Sequence, residues 1–410
     1  MSTIARGSVL SDRVAALKPS STLAVSARVN ALKAQGVDVI GFGAGEPDFD
    51  TPANIKQAAI DALLAGKTRY TPTPGPMEAR QAIAAKLTRE NGIDCKPEHI
   101  IITVGAKHAM YMAMQALVNP GDEVIILTPA WVSYRPMIEL AGGVPVEVPG
   151  AIERGFKVTP EQIDAAITPA TVAIVINSPS NPCGIAYTPG ELRAIAAVLE
   201  RHPHVTIITD EIYERLRYDG ERHLSLGSLS ALTDRVVTIN GLSKAYAMTG
   251  WRIGYLCAPG QGGRLIKAVS SLQDQLTSNI TSFSYAAVVE ALTNGDAAVI
   301  AMRDAFARRA ALMHDQVAAM PMLRCPKPTG AFYVFPDVRA YLGRVSPAGR
   351  RLESACDFAE ALLEEARVAV VPGEDFGRCA GTHVRLSFAC GESQIREGCG
   401  RIRGWLERFQ

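Results

Sequence analysis

The sequence predicts an α/β fold, a mainly parallel sheet between helices, accompanied by a smaller α+β domain. Three observations carry that expectation. Short β-branched runs alternate with Ala- and Leu-rich segments of helical period. The loops of unusual composition each follow the end of one of those runs. Past residue 300 the alternation gives way to a different pattern.

Taken in order, strands are expected at 99–104 (HIIITV), 123–128 (EVIILT), 171–177 (TVAIVIN), 205–210 (VTIITD) and 236–240 (VVTIN). Each is a short β-branched run of the kind that a sheet covered on both faces requires. Helices are expected at 106–118 (AKHAMYMAMQALV) and 189–202 (PGELRAIAAVLERH). The loops VGAK, TPAWVSY, NSPSNPCG, DEIY and NGLSK follow the five strands. Open α/β sheets bind ligands along that edge, so the five loops point at one site. Beyond residue 300 come an Arg-rich helix, GAFYVFPD, a further helix, VAVVPG, VRLSFA and a final helix, which suit a smaller domain. The segment up to residue 45 is expected to join it, because KPSSTLAVSARVNALKAQG has little of its own to pack on. The resulting division is 46–300 for the large domain, and 1–45 with 301–410 for the small one.

A chain of 410 residues suits two domains. Lys+Arg 42 against Asp+Glu 41 leaves a net charge of +1, so no overall field recruits nucleic acid or a membrane surface. A small molecule is the default partner. Scattered charges at the start, and no run of eighteen apolar residues, lead to the expectation of a soluble cytoplasmic protein. Eight cysteines with no C-x-x-C pair read as reduced, packed thiols. His202 and His204 flank a proline without further ligands nearby, and no metal is expected.

Several residues invite chemistry. Gly41-Phe42-Gly43-Ala44-Gly45-Glu46 resembles a dinucleotide loop, but its third glycine comes one residue early and Glu46-Pro47-Asp48 stands where a helix should open. It remains either a turn or a stretch of backbone left bare for an anionic group. Gly105-Ala106-Lys107 joins a strand to a helix, whose first amides and dipole favour an anion such as phosphate. Asp210 ends a strand with Tyr213 three residues on; the carboxylate is either a helix cap or the partner of a protonated heterocyclic nitrogen. Lys244 and Arg252 stand two helical turns apart in an otherwise uncharged run. Lys244 either snorkels from a helix start or, with its pKa depressed, acts as a Schiff-base nucleophile beside a phosphate-binding arginine. Arg385, alone in an apolar strand, is either a rim residue or a fork for a carboxylate, and Trp131 is either core or site.

The stretches GAGEPDFDTP (43–52), GKTRYTPTPG (66–75), VGAKHA (104–109), PAWVSY (129–134), NSPSNPCG (177–184), DEIY (210–213), NGLSKAYAMTGWRIGY (240–255), TGAFYVFPD (329–337), VVPGEDFG (370–377) and VRLSFA (384–389) cover nearly the whole chain. In that order they resemble the pyridoxal-phosphate-dependent class I aminotransferases of fold type I, and within them the bacterial aspartate aminotransferase branch. The resemblance implies a seven-stranded sheet in a large cofactor-binding domain and pyridoxal 5'-phosphate as cofactor. It implies that Lys244 attaches the cofactor and, once freed, shuttles a proton between the substrate Cα and the cofactor's C4′. Asp210 would keep the ring nitrogen protonated, Tyr213 and Asn181 would bond the phenolic oxygen, and Trp131 would stack on the ring. The phosphate would be held by the amides of Gly105, Ala106 and Lys107, by Ser243 and Arg252, and by Tyr70 from a second subunit. A homodimer with its site at the subunit interface follows from Tyr70.

By the same resemblance Arg385 grips the substrate's α-carboxylate, helped by Asn181 and the backbone of Gly45. Lys107 implies dicarboxylic substrates. Lys18 lies in the N-terminal stretch that closes over the site, where some similar relatives also accept prephenate. The chain departs from the family pattern at Asn181-Pro182-Cys183-Gly184, where threonine is usual for Cys183, and at Thr277-Ser278-Asn279-Ile280, where proline is usual for Ile280. The implied activity is a ping-pong transfer of an amino group from an L-amino acid, aspartate being the expected donor, to 2-oxoglutarate. Alternatives are an aminotransferase using glutamate or aspartate with prephenate or aromatic substrates, and a β-eliminating lyase using the same cofactor. A non-catalytic ligand-sensing module is disfavoured by the presence of Lys244 and Asp210.

Overall fold

Seven strands form one sheet: β1 Ile100–Val104, β2 Glu123–Thr128, β3 Val144–Pro149, β4 Thr171–Asn177, β5 Thr206–Asp210, β6 Val236–Gly241 and β7 Ile253–Cys257. Their spatial order is β1-β7-β6-β5-β4-β2-β3. β7 runs antiparallel to both neighbours, and every other pairing is parallel. The computed structural model describes residues 9–19 and 21–409. Residues 1–8, part of the start read as lacking an apolar leader, lie outside the described residues, as do Ser20 and Gln410.

The five strands read from the sequence are all present, with β2 and β4 at the expected bounds. The other two escaped for physical reasons. β3 carries Pro145 and Pro149, which read as loop, and it survives because an edge strand loses no ladder bond on its open side. β7 lies inside the Gly-bounded run that looked like a helix start; residues 242–252 fold instead as successive turns, with Ala247 and Arg252 left-handed at φ 51° and 56°. β6 is buried at every position, as its unbroken apolar pattern requires.

The helices that bear on the site are α1 Ser21–Ala34, α2 Met77–Lys86, α3 Gly105–Leu117, α4 Pro189–Glu200, α5 Asp296–Ala318 and α6 Glu392–Leu406. α4 starts on a capping box, Thr188 accepting from the Glu191 amide and Glu191 from the Thr188 amide. α5 runs unbroken through residue 300, so the change of pattern read there falls inside a helix and not in a linker. A three-stranded antiparallel sheet, β8 Tyr333–Val334, β9 Val371–Pro372 and β10 Val384–Ser387, has the order β9-β10-β8. The short strand Ile40–Gly41 pairs in parallel with Val368–Ala369. Ile40 and Phe42 share one apolar core with Phe306, Phe332, Phe358 and Trp405, so the segment before residue 46 packs with the C-terminal part. Of α1 only Val29 is buried, and the helix lies along the mouth of the cleft described next. Among the described residues no helix is long and apolar enough to cross a membrane.

Candidate active site

A cleft of about 740 Å3 opens at the C-terminal ends of β4, β5 and β6. Asp210, the last residue of β5, is buried there. Its Oδ2 accepts from the Tyr134 hydroxyl at 2.7 Å, its Oδ1 accepts from the Ile212 amide at 3.3 Å, and Asn177 Nδ2 donates to its carbonyl at 2.9 Å. No helix follows, so the cap reading gives way to a turn that presents both Asp210 and Tyr213 to the cleft. Burial pushes the Asp210 carboxyl up to about 6, against the pull of the Tyr134 hydrogen bond. Tyr213, also buried, meets the Tyr333 hydroxyl at 3.0 Å, and its phenol is held above its ordinary range by burial and that neighbour.

Lys244 follows β6 and sits at the cleft floor. Its ammonium donates to the Gly45 carbonyl and lies 5.7 Å over the Phe332 ring. Burial lowers its pKa to about 8, while Glu46 pulls the other way. Glu46 itself accepts from Thr249 at 2.7 Å. Ser243 is buried beside it on the same wall.

The start of α3 faces this lysine. Gly105 is left-handed at φ +79°, and a Cβ placed on it would run into the Arg252 guanidinium. Arg252 is steadied by its Nη1 donating to the Thr249 carbonyl at 2.8 Å. Glycine, the open amides of Ala106 and Lys107, and a guanidinium thus form a cradle suited to an anion. The Lys107 ammonium lies 5.0 Å over the Trp131 ring, and burial, then the Arg252 charge, lowers its pKa. Trp131 meets Tyr134 edge-on at 5.3 Å.

Arg385 projects from β10 and is 1% exposed. Its Nη1 donates to Asn181 Oδ1 at 3.0 Å and its Nη2 to the Gly43 carbonyl at 2.9 Å, while Nε has no partner. The guanidinium lies 4.5 Å over the Tyr333 ring. No carboxylate among the described residues pairs with it. Burial lowers its pKa, which removes the reading of a residue snorkelling at a rim.

The structure therefore brings Gly45, Ala106, Lys107, Trp131, Asn181, Asp210, Tyr213, Ser243, Lys244, Arg252 and Arg385 to one cleft, with Gly105 beneath Arg252. Lys18 is exposed and does not line it. Tyr70 is 91% exposed and outside it too, next to Thr71, whose amide donates to Asn279 Oδ1 at 3.3 Å. His202 and His204 turn away, to Asp164 and the Thr168 carbonyl. Sequence reasoning passed over Tyr134, Tyr333, Thr249 and the Gly43 carbonyl. Tyr134 had a signal, since it ends PAWVSY three residues after Trp131; the carbonyl had none.

A cleft at the strand ends of a mainly parallel sheet, holding an enclosed lysine, a carboxylate and a buried guanidinium without an ionic partner, is suited to binding and reacting with carboxylated small molecules. The chain belongs to the aminotransferase class I and II family, whose model matches residues 37–402. It is 47% identical over 397 residues to an aspartate/prephenate aminotransferase of Cereibacter sphaeroides, covering 97% of this chain and 98% of that protein. The crystal structure of the aspartate aminotransferase from Rhizobium meliloti superposes with a TM-score of 0.93 at 42% identity, covering 98% and 100% of the two chains. The aspartate aminotransferase from Thermus thermophilus with maleate gives a TM-score of 0.90 at 45% identity, covering 97% and 99%.

Proposed function

We propose that this chain is a pyridoxal 5'-phosphate-dependent aminotransferase that carries the amino group of L-aspartate to 2-oxoglutarate in two half-reactions. The observation that carries the reading is Arg385, a buried guanidinium with no carboxylate partner that opens on the same cleft as Lys244 and Asp210. Donor and acceptor both present an α-carboxylate, and a planar fork is the group that holds one. Lys107 adds a cation to the same cleft, where a second carboxylate of a dicarboxylic substrate would be met. The relatives named above are two aspartate aminotransferases and an aspartate/prephenate aminotransferase, and the maleate in the Thermus thermophilus structure is a dicarboxylate, which supports aspartate as donor and leaves prephenate as an alternative acceptor.

The residues present fit the cofactor. The open amides of Ala106 and Lys107, with Ser243 and Arg252, would hold its phosphate in the cradle that a Cβ at position 105 would fill. Asp210, fixed by Tyr134, would hold the ring nitrogen protonated; Trp131, Tyr213 and Asn181 line the space between, and Lys244 would tether the cofactor covalently. When bound, the cofactor supplies an electron sink for the charge left on the substrate Cα. The protein's own share is binding, orientation and proton transfer. Arg385, backed by Asn181, orients the α-carboxylate and so sets which bond at Cα faces Lys244. The freed Lys244 amine, its pKa lowered to about 8 by burial, takes the Cα proton of the donor and delivers one to Cα of the acceptor.

The exposure of Tyr70 supports a homodimer in which it reaches a partner's phosphate site. Packing of Ile40 and Phe42 with the C-terminal core supports a division into 46–300 against 1–45 with 301–410. Eight free cysteines are in keeping with a reducing cytoplasm. The test is a donor panel against 2-oxoglutarate (aspartate, alanine, aromatic amino acids), run with glutamate and prephenate as a separate pair. Aspartate is expected to give the highest kcat/KM. Aspartate near the bottom would overturn the substrate, and pyruvate with ammonia released in the absence of an oxo acid would point to the lyase.

A further inference from the structure

The turn Asp210–Glu214 faces two ways. Asp210 and Tyr213 open on the cleft, while Glu211 and Glu214 enter a second buried polar cluster behind it. There Lys86, the last residue of α2, pairs with Glu214 and donates to Asn91 Oδ1 at 2.7 Å. Asn91 Nδ2 reaches Glu214 and, at 3.1 Å, Glu211 Oε2. Ser225 donates to Glu211, and His223 Nε2 stands 3.2 Å from it. Asn240 Nδ2 donates to Glu214 Oε1 at 2.8 Å, while its own Oδ1 accepts from the Gly241 amide at 2.7 Å. The Lys86, Glu211 and Glu214 side chains are 3%, 4% and 7% exposed, and no member of the cluster lines the cleft.

One enclosed network therefore grips both the turn that carries Asp210 and Tyr213 and the strand end that leads, four residues on, to Lys244. Glu211, Glu214 and His223 bring ligand atoms within 4.8 Å of one another, the spacing of a metal site, but the Lys86 ammonium already supplies the cation. Burying such charges is expensive, and an apolar packing of the same volume is often at least as stable. What directional bonds add is a fixed relative position for two segments, and a catalytic constellation works only within about 0.5 Å of its productive geometry.

We propose that Lys86, Asn91, Glu214 and Asn240 are positioning residues, holding Asp210 and Lys244 at the separation that the cofactor requires. The proposal rests on the pyridoxal phosphate reading. The test compares the holoenzyme with Lys86→Met, Glu214→Gln and the double variant. The double variant removes one charge of each sign, so it strands neither Lys86 nor Glu214 against the other, and it keeps the measurement open where a single variant fails to fold. Pyridoxal phosphate affinity, the pH midpoint of the bound cofactor's visible absorption, kcat, KM for aspartate and Tm are read for each. Affinity and kcat are expected to fall roughly ten- to a hundredfold and the absorption midpoint to move, with KM little changed because Arg385 is outside the network. Arg350→Met, which breaks the partly exposed Arg350–Glu360 pair outside both the cleft and the network, serves as control and should move none of these but Tm. A double variant that binds the cofactor, absorbs and turns over like the wild type, whatever its Tm, overturns the proposal. Wild-type protein that binds no pyridoxal phosphate would instead overturn the functional reading on which it rests.

Discussion

Two groups of charged side chains flank the turn Asp210–Glu214, and they follow opposite rules. Behind the turn, charge meets charge: Lys86 sits on Glu214, and amides and a hydroxyl take up the remaining carboxylate oxygens. Burial alone pushes the Glu214 carboxyl up, yet Lys86 and its other partners hold it below the usual range. In the cleft, Lys244 ends on a carbonyl, Asp210 on a phenol, and Arg385 on an amide and a carbonyl with Nε left over. There burial dominates, lowering Lys244 to about 8 and raising Asp210 to about 6. Satisfied charges fix shape, whereas charges denied an ionic partner keep their binding capacity for a ligand.

That contrast is tested most severely at Lys244. Lys244→Ala should cut steady-state transamination roughly 10^3- to 10^4-fold, with a Tm no lower than that of the wild-type apoprotein; retention of most activity would break the contrast at its centre. Next come two carboxylates on opposite sides of the turn, compared by urea unfolding of the apoprotein. Glu214→Ala strands Lys86 and should cost about 3–5 kcal/mol. Asp210→Asn should instead stabilise at pH 8 by on the order of 2–3 kcal/mol. The sign follows from the folded pKa lying above the unfolded one: the contribution of Asp210 is present below the unfolded value of 3.8 and lost as pH rises through about 6. The advantage of Asn should accordingly vanish in acid, and destabilisation by both variants at pH 8 would contradict the distinction.

Smaller effects sharpen it. Arg385→Ala removes charge-assisted bonds worth about 1.5–3 kcal/mol, so KM for aspartate and for 2-oxoglutarate should each rise roughly ten- to a hundredfold. An unchanged KM for both would assign Arg385 a purely structural task. The slightest effect is on a rate: attachment of pyridoxal phosphate to the apoprotein, followed by stopped-flow absorbance, should level off near pH 8 and not climb toward 10.5. Because Glu46 holds that value up, Glu46→Gln should move the plateau to lower pH.

The sheet was legible because its buried strands are unbroken β-branched runs, and the site because its loops stand at strand ends. Lys244, Asp210 and Arg385 announced themselves as charges in apolar surroundings. The cluster behind the turn did not, although Glu211 directly follows Asp210 and Glu214 directly follows Tyr213. Lys86 and Asn91 close one helical run while Ser225 and Asn240 come from two further segments, and no local pattern marks charges that meet only after folding. β3 was hidden by its prolines, and Tyr134 by standing beside a more conspicuous tryptophan.

Gly105 carries a consequence for mutational tolerance. Its backbone is left-handed and its missing Cβ is the space that Arg252 occupies. Every other amino acid has a Cβ, so conservative and radical replacements there fall into one class. Under selection for activity, position 105 should stand out in a saturation library as a column with a single permitted letter, while its neighbours along α3 tolerate several.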